Sequence, residues 1–107
     1  MSNYDLYGSL MKDINEGKKI LEKILQIKFE PHESSYQGGE YFRYGEIGEE
    51  NFLLKRNIDL LDNEPAELLF QDYPILFYVN NTLRSADLQR LMTQKIEGFV
   101  LLKKEEF

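Results

Sequence analysis

The sequence predicts an α+β domain of two layers, a mainly antiparallel sheet of four to five strands carrying two helices on one face. Three observations support it. Residues 73–79 run apolar from Ile75 to Val79 without alternation, between Asp72 and the pair Asn80-Asn81, which is how a strand covered on both faces reads. One helically periodic segment precedes this strand and another follows it. Between the first helix and the strand, two strand-like runs flank a glycine-containing turn, the pattern of a hairpin.

In chain order, Leu10, Ile14, Leu21 and Ile24 recur at helical steps with Gly17 on the same stripe, so residues 7–25 read as one amphipathic helix. Gly17 costs about 1 kcal/mol relative to alanine in a helix interior, so either the helix bends there or the glycine permits close approach to the sheet. Ile27 and Phe29 alternate with Lys28 and Glu30 as in a short strand, which Pro31 should end because it lacks a backbone donor. Residues 34–39 read as a turn around Gly38-Gly39. Residues 41–47 and 52–58 form the expected hairpin about Gly48-Glu49-Glu50-Asn51. Residues 59–72 hold the turn signal Asp62-Asn63-Glu64-Pro65 and the apolar run Leu68-Leu69-Phe70 but no period, so an acidic, irregular crossover lying over the sheet is expected. Ser85 reads as an N-cap with Asp87 in the first turn, and Leu88, Leu91 and Met92 form the buried stripe of a helix over residues 85–94. Gly98 breaks it, residues 99–102 make a last strand, and Lys103 to Glu106 form a solvated tail.

At 107 residues the chain fits a single domain, residues 1–107. With 42% apolar and 13% aromatic residues it is too hydrophobic for global disorder, and its apolar runs fall far short of the about 18 residues that span a bilayer. There is no cysteine, so disulfides and thiolate metal sites are excluded. The first residues lack the basic and apolar regions of a signal peptide, which makes a cytoplasmic location the expectation.

The net charge of −6 argues against broad phosphate-backbone binding. From Glu30 to Asp72 eleven acidic residues face only Arg43, Lys55 and Arg56, whereas the remainder of the chain is slightly basic. An asymmetry of this kind steers a basic partner.

The chemistry-bearing patterns are sparse. A Ser-His-Asp arrangement would have to use His32, the only histidine, which stands in the polar stretch Pro31-His32-Glu33-Ser34-Ser35 and reads as a solvated loop residue. Glu46, Glu49 and Glu50, or Asp59, Asp62 and Glu64, have oxygen ligands suited to calcium but not the spacing of a calcium loop; they read as soluble turns. Neither Gly38-Gly39 nor Gly45-x-x-Gly48 opens a helix with the lysine of a phosphate cradle. Tyr36, Tyr41, Phe42 and Tyr44 beside Arg43 suggest a base-stacking face, which the surrounding negative charge disfavours. No metal, cofactor or catalytic residue is expected.

The runs Ser35-Tyr36-Gln37-Gly38-Gly39-Glu40-Tyr41-Phe42, Glu50-Asn51-Phe52-Leu53-Leu54-Lys55-Arg56-Asn57, Ala66-Glu67 and Asp72-Tyr73-Pro74-Ile75-Leu76-Phe77-Tyr78-Val79-Asn80 resemble small bacterial immunity proteins found beside polymorphic toxins, including those of contact-dependent growth inhibition. The likeness covers residues 35–92 and consists of short aromatic and glycine patterns. It implies a non-enzymatic inhibitor that binds the C-terminal domain of its cognate toxin, often a nuclease, with no catalytic residue to carry over. Joined to the charge count, it makes Glu46, Glu49, Glu50, Asp59, Asp62, Glu64, Glu67 and Asp72 the expected toxin-binding residues, with Tyr44 as anchor. No nucleic acid or membrane is expected as a partner. The alternative expectation is an intracellular adaptor or regulatory module that binds a protein or peptide through a sheet edge.

Overall fold

The computed structural model describes residues 2–94 and 98–106. The elements follow as β1 (Asn3–Ser9), α1 (Ile14–Leu25), β2 (Glu30–Ser34), β3 (Gly39–Tyr44), β4 (Asn51–Arg56), β5 (Ile75–Thr82), α2 (Ser85–Gln94) and β6 (Phe99–Glu106), with short 3-10 turns at Ser35–Gln37 and Leu68–Phe70. All six strands join one antiparallel sheet in the order β2-β3-β4-β5-β1-β6. The fold is α+β, with one strand more than the upper expectation.

Both helices cover the same face. Ile14 and Leu21 of α1 and Leu88 and Met92 of α2 share one core with Tyr7, Phe42, Phe52, Leu54, Ile75, Phe77, Val79 and Phe99 from the sheet. Phe77 sits at its middle, edge-on to Phe29, Phe52 and Phe99 at ring-centroid distances of 5.6 to 6.4 Å, the geometry in which aromatic quadrupoles attract. As its unbroken apolar run requires, β5 is covered on both faces: Ile75 and Phe77 are buried toward the helices, and Leu76 is buried on the outer side.

The first helix is shorter than its periodicity suggests. Residues 3–9 are instead β1, paired to β5 on one side and β6 on the other, with Tyr7 opposite both Phe77 and Leu101. Its alternation is hard to see because Asp5 and Ser9 lie buried among the polar residues rather than replacing core with solvent. Asp13 marks the true helix start: its Oδ1 accepts from the Asn15 N–H at 2.9 Å, and Gln26 ends the helix in the left-handed region with φ of 56°. Gly17 faces Met11, Leu54 and Phe99, and a β-carbon there would lie 3.6 to 3.8 Å from them, so the glycine marks close packing of α1 on the sheet with room for one methyl.

Pro31 stands inside a pairing that starts at Glu30, where it was expected to end one. It lies within β2, opposite Phe42, because β2 is a sheet edge and an edge strand tolerates a missing donor. The strand at residues 27–30 is therefore displaced, and Phe29 instead plugs the core while its N–H donates to Glu22 Oε2 at 2.8 Å. Glu22 is held below the ordinary carboxylate range: burial opposes this, but the Phe29 N–H and the Lys18 ammonium outweigh it.

The hairpin is present with a longer turn, residues 45–50, where Gly45 has φ of 83° and a β-carbon would collide with the Glu50 carbonyl. Helix α2 spans the expected residues, but the Ser85 hydroxyl does not cap it. It donates to Asp5 Oδ2 at 2.6 Å, and Thr82 Oγ1 accepts the Arg84 N–H. The supposed tail, Lys103 to Glu106, continues β6 against β1, since an edge strand accommodates charge.

Replacing Gly17 by alanine should stabilise the helix by about 0.5–1 kcal/mol and raise the melting midpoint by about 4 °C. A scanning-fluorimetry midpoint that falls would show that Met11 and Phe99 cannot admit the methyl.

Candidate interaction surface

The acidic residues expected to form one surface are divided by the length of β4. Glu46, Glu49 and Glu50 sit in the β3–β4 turn, before Asn51; Asp59, Asp62, Glu64, Glu67 and Asp72 lie in the crossover that begins after Arg56. Six strand residues, about 20 Å of extended chain, separate the turn from the start of the crossover, whereas Glu67 lies back toward mid-strand, bonded to Tyr78 opposite Leu53.

At the hairpin end, Glu46 and Glu49 are exposed, but Glu50 is engaged. Its carboxylate accepts from Arg84 Nη2 at 2.6 Å, from Arg84 Nε at 2.9 Å and from Thr82 Oγ1 at 2.8 Å. The forked guanidinium holds the Glu50 carboxyl below its usual range and in turn pushes the Arg84 value up. This pair ties the turn to the entrance of α2. Tyr44 is half-buried, its ring 5.3 Å from that of Phe52, so its bulk serves the helix-side core.

The crossover lies on the outer face of the sheet, opposite the helices. Asn57 anchors it: Nδ2 donates to the carbonyls of Phe70 and Tyr73, both at 3.0 Å, and Oδ1 accepts from the Glu67 N–H at 2.9 Å. Tyr78, on the outward side of β5, donates its hydroxyl to Glu67 Oε2 at 2.7 Å. Burial raises the Tyr78 hydroxyl far above its ordinary value, and the Glu67 carboxylate adds to the shift. Lys55 is buried beneath the crossover, its value lowered by desolvation against the opposing charges of Asp59 and Glu67. Further along, Asp59 Oδ1 accepts from the Leu61 N–H, Asp62 Oδ1 accepts from the Glu64 N–H, and Asp59 bridges to Glu64 through the backbone. These carboxylates stiffen the loop while remaining at the surface.

Sequence reading named the run Leu68-Leu69-Phe70 but did not foresee that leucines here stay outside. Leu60, Leu61, Leu68 and Leu69 are exposed by 50, 62, 63 and 91%. These four leucines lie outside any core and alternate along the chain with Asp59, Asp62, Glu64 and Asp72, which makes the crossover the candidate contact surface among the described residues. The signal was an apolar run without period, which fits neither a buried strand nor an amphipathic helix. A second smaller group, Ile47 and Leu83, is exposed at the hairpin end.

The remaining constellations dissolve. Tyr41 and Phe42 point to opposite faces of β3, and Phe42 is buried, so the supposed stacking face is split. His32 stacks on Tyr41 at 5.4 Å with its Nε2 3.7 Å from Glu30, on the edge strand. Among the described residues no group of three or more histidines and carboxylates is arranged to hold a metal ion, and no helix is long and apolar enough to cross a membrane. No protein-family model and no curated protein matches the chain.

Two outcomes test this account. Glu50 has a depressed carboxyl, so its contribution is present above the ordinary value of 4.5 and is lost as pH falls through the folded value. Glu50→Gln should cost on the order of 1 kcal/mol at neutral pH, and its denaturation midpoint should converge with that of the unsubstituted protein in acid. Asn57→Ala removes three partly buried hydrogen bonds, about 2–3 kcal/mol in all. Amide exchange should accelerate across residues 66–73 more than in β5; equal acceleration would mean that Asn57 supports the whole fold rather than the crossover.

Proposed function

We propose that this chain is an immunity protein that binds a bacterial toxin domain, a nuclease with a basic active site, and blocks it without catalysing a reaction. The observation that carries the reading is the crossover: exposed leucines set among carboxylates, on a loop held by Asn57 and Tyr78. A basic surface is attracted by Asp59, Asp62, Glu64 and Asp72, while Leu61 and Leu69 supply apolar area that becomes desolvated on contact. Because the loop is tied at both ends, docking orders little further chain, which lowers the entropic cost of association. Glu46 and Glu49, at the hairpin end of β4, would extend the footprint on a large partner. Glu50 and Tyr44 have structural work instead.

The test is to mix the protein with the toxin domain encoded beside its gene and to measure both complex formation and residual toxin activity. An equimolar complex with silenced toxin is expected. Leu61→Ala and Leu69→Ala should each weaken it about tenfold without shifting the melting midpoint, and association should slow about tenfold between 0.1 and 1 M salt. Toxin that remains fully active, with no complex on a sizing column, ends the reading.

A further inference from the structure

Between the crossover and the outer end of β1 and β6 lies a cleft of about 270 Å³ whose lining includes Tyr4, Glu67, Tyr78, Asn80, Lys103 and Glu105. We propose that this cleft receives an arginine side chain of the protein partner, an inference that rests on the docking role above and names its anchor. The Tyr78 ring gives a wall on which a guanidinium plane can stack. Glu67 uses Oε2 for the Tyr78 hydroxyl and keeps Oε1 as an acceptor. Asn80 spends its Nδ2 on Asn51 Oδ1 at 3.1 Å and keeps its side-chain carbonyl as an acceptor. Glu105 completes the set. Acceptors from three residues lining one cleft match the five donors of arginine better than the point charge of lysine.

The charges around the cleft decide how strongly it attracts a cation. Glu67 and Glu105 stand against Lys103, whose Nζ is 3.1 Å from Glu105 Oε1. Lys103 therefore occupies one of the two carboxylates and competes with an incoming guanidinium. Lys55 is buried beneath the crossover and does not line the cleft. Asp5 reaches the lining, but its side chain is engaged with Ser85 on the helix side. Taking Lys103 away should thus free Glu105 and strengthen the site. A general surface attraction makes the same prediction for any removed lysine and holds a lysine peptide as well as an arginine one, so a lysine peptide is the needed control beside the uncharged isostere of arginine.

The experiment is an amide chemical-shift titration of the full chain with acetyl-Gly-Arg-Gly-amide, and in parallel with the same peptide carrying lysine or citrulline. The arginine peptide should move resonances of Tyr4, Glu67, Tyr78 and Asn80 in a saturable manner, the lysine peptide should bind there about threefold more weakly, and the citrulline peptide should leave them unmoved. Lys103→Gln should tighten arginine binding about threefold, and Glu67→Gln, which can still accept from Tyr78, should weaken it by about threefold. Arginine shifts that do not saturate or miss these residues, lysine or citrulline shifts of equal size, or weaker binding by Lys103→Gln would each overturn the anchor. A toxin complex that forms through the leucines while the peptide fails to bind would overturn the anchor alone and leave the docking role standing.

Discussion

The structure depends on covering both faces of β5. Ile75, Leu76, Phe77 and Val79 are each at most 1% exposed, so neither side of this strand can meet water. Each such side chain contributes about 1.5–3 kcal/mol when fully buried. Two helices supply the inner cover. The outer cover must come from elsewhere, and the chain provides it with the long crossover between β4 and β5, together with Tyr73 and Leu102, which pack against Gly8 so tightly that a β-carbon there would lie 2.6 Å from Leu102. A loop recruited as a lid cannot form a core of its own. It holds its place with polar ties, Asn57 and the Tyr78–Glu67 hydrogen bond, and its leucines remain outside.

This division explains what the sequence revealed and what it concealed. β5, the hairpin and α2 were legible because each has one dominant period or an unbroken apolar run bounded by turn residues. β1 was not. Its residues Asp5 and Ser9 are buried polar groups, satisfied in part by Ser85 eighty positions away, and no local pattern announces such a partner. The periodicity of Leu10 and Met11 with Ile14 then extended the helix backward past Asp13, although that aspartate carried the capping chemistry. β2 and the end of β6 were misread for one shared reason. Both are sheet edges, where proline and runs of charge are tolerated because half of the backbone groups face water.

The candidate surface was legible only as a count. Eleven carboxylates between Glu30 and Asp72 are a property of the segment, whereas a surface is a property of the fold, and β4 separates the hairpin turn from the start of the crossover. Pairing cannot be seen in a count either. Glu50 looks equivalent to Glu49 in sequence, yet one is clamped by Arg84 and the other is exposed. The partner of Glu50 lies 34 residues away, beyond any local rule.

The carboxylates therefore divide into those that hold the molecule and those that remain to meet another. Glu22, Glu50 and Glu67 accept hydrogen bonds across elements: Glu22 from Phe29, Glu50 from Arg84 and Thr82, Glu67 from Tyr78. Asp62, Glu64 and Asp72 are exposed on a loop that is already fixed. Charges of the second kind contribute little to folding, since an exposed pair is worth about 1 kcal/mol at most, but they act on an approaching partner over about 10 Å at ordinary salt. The first kind makes the second effective, because a carboxylate steers best from a surface whose position does not drift. Lys55 is the link between them. Buried under the crossover at a cost in desolvation, it balances Asp59 and Glu67 from below, so that the loop can carry a dense negative charge without being pushed off the sheet by its own repulsion.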